Sequence, residues 1–131
     1  MGNSDLIYEE ESQKILDSAY EVQNILGTGF LEKVYENALV ICLKEKGLQV
    51  TQQDPLKIYF KGNIIGDYVT DIIVNKKIIV EVKALKNLES IHDAQIINYL
   101  KATNLELGIL INFGKIKLEY KRFANTCKKH L

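Results

Sequence analysis

The chain has little of several residue types: it contains no tryptophan, one proline and two cysteines in 131 residues. Cys42 and Cys127 lie far apart and have no ligand set near them in sequence, so neither a disulfide framework nor a structural zinc site is expected. The first residues lack the basic and apolar segments of a secretory leader, and no apolar run approaches the roughly 18 residues of a membrane span. We therefore expect a cytoplasmic protein without a membrane segment.

An excess of charge of one sign is also lacking, because 17 basic residues balance 17 acidic ones. Bulk electrostatics therefore do not by themselves indicate a nucleic-acid partner. The charges are unevenly placed, with an acidic segment at residues 1–21 and a basic one at residues 115–131. This polarity could steer a polyanion or could belong to solvated tails. The length and the apolar content of 47% predict one globular domain over residues 1–131.

Two amphipathic helices are predicted in the first part of the chain. Over residues 4–26, apolar residues recur at steps of three and four, the spacing of one helix face; these are Ile15, Ala19, Val22 and Leu26. The second helix covers residues 30–46, after the break at residues 27–29 and before the stop at Gly47. Its expected inward residues are Leu31, Val34, Ala38 and Ile41 or Cys42.

The middle of the chain has the composition and turns of β-strands, which are expected over residues 56–60, 64–74 and 78–84 as an antiparallel meander. Asp54-Pro55 is expected as the turn before the first of them. A helix over residues 90–103 follows, opened by a capping box of Ser90 and Asp93 and with Ile96, Ile97 and Leu100 inward. A strand over residues 107–113 and an edge strand over residues 116–121 complete an α/β sandwich, whose helix forms a right-handed crossover.

The hairpin around residues 75–77 brings chemically active residues together. If these residues form a three-residue loop, Ile72 pairs with Val80, and Asp71 lies opposite Glu81. Because side chains alternate along a strand, Asp71, Glu81 and Lys83 then share one face of the sheet. The apolar residues of the two strands share the other face; they are Ile72, Val74, Ile78, Val80 and Val82.

Two opposed carboxylates repel each other unless a positive charge offsets the repulsion. Mg²⁺ or Mn²⁺ can do so, because carboxylate oxygens can share one such ion while waters complete its shell. A metal of this kind can activate water and polarise a phosphoryl oxygen, and Lys83 can orient the water or stabilise the charge on the phosphate. The alternative is a structural cluster of Asp71, Glu81 and Lys83 on a solvated sheet face.

The run Gly29-Phe30-Leu31-Glu32-Lys33-Val34-Tyr35 matches the motif of the GxxExxY proteins. The resemblance to this family spans nearly the whole chain and includes Asp71, Glu81-Val82-Lys83, Gln95-x-x-x-Tyr99 and the segment at residues 110–114. It implies membership of the PD-(D/E)XK nuclease superfamily, of the RecB-like type. The implied fold is a restriction-endonuclease-like αβββαβ core with a mixed central sheet flanked by helices.

The resemblance also implies roles for individual residues. Residues that match Asp71 and Glu81 bind magnesium in the superfamily, and the lysine that matches Lys83 assists catalysis. The Val82 carbonyl and Glu32 are expected as further metal ligands. Glu32 is explained equally well as an acidic residue favoured at a helix start by the helix dipole.

Gln95 and Tyr99 lie one helical turn apart and match a RecB-like signature whose side chains lie beside the metal and contact nucleic acid or the catalytic residues. Tyr35 is expected to pack, with its hydroxyl bonded near the site. The predicted activity is metal-dependent hydrolysis of phosphodiester bonds in DNA or RNA. The alternatives are a catalytically silent module that binds nucleic acid or protein, and one subunit of a homodimer or larger assembly.

Overall fold

A computed structural model describes residues 7–125 of the chain. The elements are α1 (Glu9–Leu26), α2 (Glu32–Glu45), β1 (Val50–Phe60), β2 (Asn63–Val74), β3 (Ile78–Lys83), α3 (Ser90–Thr103), β4 (Leu107–Asn112) and β5 (Glu119–Ala124). Their order is the predicted one: two helices, three strands, a helix and two strands.

The strands form one sheet in the order β1-β2-β3-β4-β5. β3 and β4 are parallel, while the other neighbouring pairs are antiparallel. Two parallel strands need a crossover connection, and α3 supplies it. The mixed sheet with flanking helices confirms the predicted fold class.

The sheet separates two cores. On one face, α1 and α2 pack against the five apolar residues of the hairpin that were predicted to share a side, Ile72, Val74, Ile78, Val80 and Val82. On the other face, α3 packs against Ile79 and Leu110. The observed pairs Ile72–Val80, Ile73–Ile79 and Val74–Ile78 confirm the predicted hairpin register.

The first helix is shorter than predicted. Tyr8 adopts a left-handed conformation with φ of 52°, so α1 begins at Glu9. The earlier part of the predicted helix, at residues 4–6, lies outside the described residues. Ile15, Ala19 and Val22 are buried as predicted, which shows that the spacing identified the correct face.

The prediction for the inward face of α2 was right for Cys42, which is buried, and for Ala38, which packs against the core, but wrong for three other residues. Leu31 is 80% exposed, and Val34 and Ile41 are exposed as well. The residues buried in α2 are Tyr35, Glu36, Leu39, Val40, Cys42 and Leu43. The stripe of Tyr35, Leu39 and Leu43 at steps of four faces the core, because the tyrosine and leucine side chains bury more area there than Val34 and Ala38 would.

Two strand predictions were also wrong at their boundaries. Pro55 was expected in a turn, but it pairs with Val69 inside β1. β1 is an edge strand of the sheet, where a proline can be accommodated. β5 begins at Glu119, and Ile116, which was expected in this strand, is 93% exposed.

The start of α3 is capped by residues other than those predicted. Glu89 is the N-cap, and it forms a capping box with His92 in place of Ser90 and Asp93. The His92 Nδ1 atom accepts the Glu89 backbone N–H at 2.9 Å. Ile97, expected inward, is exposed, and Tyr99 is buried in its place.

Candidate active site

The regular pairing of β2 with β3 ends at Ile72 and Val80. Beyond this pair, the two strands are joined by hydrogen bonds from backbone N–H groups to side-chain carboxylates. The Asp71 backbone N–H donates to Glu81 Oε2 at 2.9 Å. In return, the Val82 backbone N–H donates to Asp71 Oδ2 at 2.8 Å. These two bonds hold the Asp71 and Glu81 side chains next to each other between the two strands.

β1, the other strand that pairs with β2, is irregular opposite Asp71. Gln52 pairs with Ile72 and Asp54 pairs with Thr70, and Gln53 between them has a φ of 56°. The left-handed conformation is uncommon for a residue other than glycine and often marks a functional constraint. The regular ladder is therefore interrupted on both sides of Asp71.

Glu81 is buried and Asp71 is partly buried, so both carboxyl groups lose hydration. Glu81 is 3% exposed, and burial, with the neighbouring Asp71 charge as the next cause, raises the pKa of Glu81 to about 8. Burial also raises the pKa of Asp71, although the bond from the Val82 N–H opposes this change. The site thus disfavours two negative charges in the absence of a cation.

Lys83 does not neutralise this pair by direct contact. Its Nζ atom donates to Gln95 Oε1 at 3.1 Å. Among residues 7–125, the ion pairs involve neither Asp71 nor Glu81. The alternative considered from the sequence was a structural ion cluster of Asp71, Glu81 and Lys83. Such a cluster would pair Lys83 with a carboxylate, and the described residues of the site contain no such ion pair.

The carboxylates suit a hard divalent cation. The hydrogen bonds of Asp71 and Glu81 to the backbone each use one carboxylate oxygen, and the second oxygen of each group remains for a metal. Mg²⁺ prefers such oxygen ligands, usually one or two carboxylates together with water. The residues present therefore fit the metal that the sequence predicts.

Glu32 is the first residue of α2 and lies on the rim of the site. Loss of hydration raises its pKa; the Lys83 charge opposes the rise, and the Asp71 charge adds to it. These influences place Glu32 within electrostatic reach of Asp71 and Lys83. Glu32, Asp71 and Glu81 do not, however, form a compact set whose ligand atoms all lie within 4.8 Å of one another.

Within the described part of the chain, the set of three ligand-type side chains that meets this distance is Glu21, Cys42 and Glu45. It joins α1 to the end of α2. Glu21 there already forms an ion pair with Lys46 at 3.2 Å. Cys42 therefore lies near two carboxylates, those of Glu21 and Glu45, although the sequence analysis found no ligand set around it.

Gln95 and Tyr99 extend the contact of Lys83 along α3. Gln95 accepts from Lys83 and donates through Nε2 to the Tyr99 hydroxyl at 3.2 Å. Burial, followed by the charge of Glu81, raises the pKa of Tyr99. The three side chains form one hydrogen-bonded row beside the carboxylates.

Tyr35 is fully buried, as predicted, and its ring stacks on Phe113 with centroids 4.9 Å apart. Its hydroxyl donates to the Gly27 carbonyl at 2.6 Å and accepts the Phe30 backbone N–H at 3.2 Å. These bonds fix the loop that leads into α2. The hydroxyl therefore acts on the segment that positions Glu32, and its described hydrogen bonds are with the loop.

Replacing Tyr35 with phenylalanine is expected to lower the free energy of unfolding by about 1–3 kcal/mol, because two backbone groups lose a buried partner. Thermal unfolding monitored by circular dichroism would measure this loss. Tyr120→Phe, at an exposed tyrosine, is the matched control and should change stability little. Equal stabilities of the Tyr35 variant and the parent would contradict a role of the hydroxyl in fixing the loop.

Glu36 is a buried acid of α2. Its Oε2 accepts from Gln52 Nε2 at 2.7 Å and Gln53 Nε2 at 2.9 Å, and Lys33 Nζ lies 3.3 Å away. Glu36 thereby ties α2 to the irregular part of β1. Adjacent residues of a regular strand point to opposite faces, so the sequence did not indicate that both glutamines contact Glu36; the left-handed conformation of Gln53 accompanies this arrangement.

Asn112 holds the chain just beyond Lys83. The Asn112 side chain is fully buried, and it both accepts from the Leu85 N–H at 2.8 Å and donates to the Leu85 carbonyl at 2.9 Å. The Phe113 N–H also donates to the Lys83 carbonyl at 2.8 Å. At Gly114, a β-carbon would collide with the Leu85 backbone. This close packing fixes the end of β3 on which Lys83 lies.

Comparisons with known proteins agree with this architecture. The solved structure of SSO0001 is similar to the chain with a TM-score of 0.56 and 22% sequence identity, and the match covers 89% of this chain and 59% of that one. At this identity the likeness shows the fold, and the chain spans less than two thirds of the length of SSO0001. None of the curated proteins matches the sequence.

The helices within residues 7–125 include none that is long and apolar enough to span a membrane. A family model described as the PD-(D/E)XK nuclease superfamily matches residues 9–123, a range that contains α1 to β4 and most of β5. Nucleases of this superfamily act on nucleic acid and generally use divalent metals. The match extends over most of the sequence, and the chain therefore belongs to the PD-(D/E)XK nuclease superfamily.

Proposed function

We propose that this domain is a divalent-metal-dependent nuclease that hydrolyses phosphodiester bonds, with Asp71, Glu81 and Lys83 as its catalytic residues. One observation carries the proposal: two adjacent carboxylates, one of them 3% exposed, lie between β2 and β3 without an ion-pair partner among the described residues. Buried charges in proteins are normally paired or bound to metals. A site that holds two adjacent carboxyl groups with no cation in direct contact is suited to a cation taken from solution.

Asp71 and Glu81 would hold Mg²⁺ or Mn²⁺ through the carboxylate oxygens that do not accept backbone N–H bonds. The Val82 carbonyl would add a ligand from the same strand as Glu81. Glu32 would act from the rim, through a water in the metal's shell. When bound, such a metal lowers the pKa of a coordinated water and polarises the phosphoryl group.

Lys83 would act on the substrate. Its ammonium group is held by Gln95, which leaves two of its three N–H donors for the attacking water and a phosphate oxygen. A fixed positive charge at this point stabilises the negative charge that develops during hydrolysis. Gln95 and Tyr99 orient Lys83 in this scheme.

We further propose that the chain is a member of the GxxExxY family, of the RecB-like type, and forms a single domain that works in the cytoplasm. The roles of the motif residues support the family proposal. Glu32 of the motif lies on the rim of the carboxylate site, and Tyr35 fixes the loop that leads into α2. The motif thus supplies Glu32 as an acidic side chain near the site and Tyr35 as the residue that fixes the loop before it.

A plasmid-nicking assay tests the proposed activity. Supercoiled DNA and a labelled RNA are incubated with the protein and Mg²⁺ or Mn²⁺, and a parallel sample contains EDTA. We expect cleavage of at least one substrate that requires the metal and is lost in Asp71→Asn. Cleavage that persists in this variant would come from a contaminating nuclease.

Isothermal titration calorimetry with Mn²⁺ separates the nuclease from a catalytically silent binding module. We expect heats of binding for the parent protein and none for Asp71→Asn. If the parent neither binds the metal nor cuts either nucleic acid, the domain is a binding module that has kept the nuclease fold.

A further inference from the structure

A cleft of about 660 Å³ opens directly beside Lys83. One wall is formed by Ile58 and Tyr68 of β1 and β2, and the other by residues of α3 that include Gln95 and Tyr99. Its volume is in the range of protein sites for small ligands. Gln95 and Tyr99 link this cleft to the candidate catalytic site, because both also belong to the row of hydrogen bonds that begins at Lys83.

The wall formed by β1 and β2 depends on the irregularity at Asp71. Side-chain alternation in an undisturbed β2 would place Tyr68 on the same face as Ile72. Ile72 instead packs in the core under α1 and α2, whereas the Tyr68 ring contacts Tyr99 of α3 at a centroid distance of 5.9 Å. The two strands therefore turn over near Asp71 and Gln53, and this turn brings an aromatic side chain to the mouth of the catalytic site.

The two tyrosines differ in how they present their rings. Tyr99 is buried, and its ring is tilted by 55° from that of Tyr68, so the two rings do not stack on each other. Tyr68 is 51% exposed and has ring surface available for another planar group. Ile58 and Ile91 add apolar surface to the same cleft.

The charge of the cleft is opposite to that of the neighbouring metal site. Lys83 and Lys101 line the cleft together with His92, and none of the described residues that line it carries a carboxylate. Asp71 and Glu81 lie beyond Lys83. These neighbouring surfaces match a ligand that has a planar apolar group and a phosphate. The planar group can pack on the tyrosine wall, and the phosphate can bind the lysines and a metal.

We propose that the cleft binds one unpaired nucleobase, which stacks on Tyr68, and that the substrate of this domain is therefore single-stranded DNA or RNA. The inference rests on the proposed nuclease function and specifies its substrate. A base in a duplex is paired and stacked, and it must leave the helix to enter a cleft of this kind. A base in a single strand is already free, and stacking on an aromatic side chain tolerates any base identity.

Fluorescence anisotropy with labelled oligonucleotides tests the proposal, with Ca²⁺ in place of Mg²⁺ so that binding is measured without turnover. The probes are a single-stranded DNA, a single-stranded RNA of the same sequence and the corresponding DNA duplex. We expect tighter binding of at least one single strand than of the duplex. Tyr68→Ala should weaken binding of that strand roughly tenfold, because one stacked base is lost.

Tyr59→Ala is the matched control. Tyr59 lies on the same pair of strands and is similarly exposed, at 47%, but it does not line the cleft; its replacement should change affinity less than twofold. Tyr68→Phe should bind like the parent, because stacking requires the ring and not the hydroxyl. An oligonucleotide made of abasic nucleotides should bind the parent and Tyr68→Ala equally.

Two outcomes would overturn the proposal: equal affinity of the parent for single strands and duplex, or equal losses in Tyr68→Ala and Tyr59→Ala. Cleavage assays in Mg²⁺ on the same probes separate this failure from that of the nuclease function. Metal-dependent cutting of both strand forms, unchanged in Tyr68→Ala, would leave the nuclease intact and remove the base site. Single-strand binding that depends on Tyr68, without any cutting, would leave the base site and remove the nuclease.

Discussion

Replacing Glu81 with glutamine is expected to abolish metal-dependent cleavage and, in the same protein, to stabilise the metal-free domain above pH 8. The first effect follows from the loss of an anionic metal ligand. The second follows from the raised pKa of Glu81, which burial and the Asp71 charge shift from 4.5 to about 8. A group of this kind favours the folded state while it is protonated, so its contribution to stability is fully present below about pH 4.5 and is lost as the pH rises through 8.

Glutamine remains neutral at all of these pH values and can still accept the Asp71 N–H. Above pH 8 the variant therefore avoids the cost of a buried charge, and its gain should amount to a few kcal/mol. Urea unfolding in EDTA at pH 5 and pH 9 measures the difference. We expect the two proteins to be similar at pH 5 and the variant to be more stable at pH 9.

Glu9→Gln is a suitable control because Glu9 is exposed in the first turn of α1, and it should change neither cleavage nor the pH dependence of stability. Saturating Mg²⁺ should stabilise the parent and not Glu81→Gln, since a ligand that binds the folded state raises its stability. A Glu81 variant that cuts at the parent's rate, or is less stable at pH 9, would contradict a metal-binding carboxylate at this position.

Replacing Lys83 with alanine is expected to reduce kcat by roughly 10²–10³-fold, the usual effect of removing one preorganised group that stabilises charge in a transition state. The ammonium group contacts Gln95 and neither carboxylate directly, so the metal ligands stay in place. Calorimetry with Mn²⁺ should therefore show binding by the Lys83 variant. This combination distinguishes Lys83 from Asp71, whose replacement removes both cleavage and metal binding.

Lys76→Ala provides the matched control, because Lys76 lies exposed in the turn between β2 and β3 on the same hairpin. Cleavage by this variant should equal that of the parent. Gln95→Leu should reduce kcat less than Lys83→Ala, since the ammonium group remains but loses its acceptor. Full activity of Lys83→Ala would show that Lys83 is not a catalytic residue.

Local patterns in the sequence were sufficient for much of the site. The turn residues 75–77 and the alternation on either side predicted the hairpin register, and the structure confirms the three pairs that define it. This succeeded because register in a hairpin depends on a short loop and on residues adjacent in the chain. The placement of Asp71, Glu81 and Lys83 on neighbouring strands followed from the same local information.

The sequence by itself thus determined the order of the elements, the core face of α1 and the proximity of the two acids. Only the tertiary structure decided which face of α2 is buried, that Glu36 meets Gln52 and Gln53, and that Tyr68 turns toward α3. Periodicity defines faces relative to one element, whereas burial depends on which distant elements pack against it. The reversal at Asp71 interrupts the alternation on which sequence reasoning relies, and for that reason the cleft beside the catalytic residues could be found only in three dimensions.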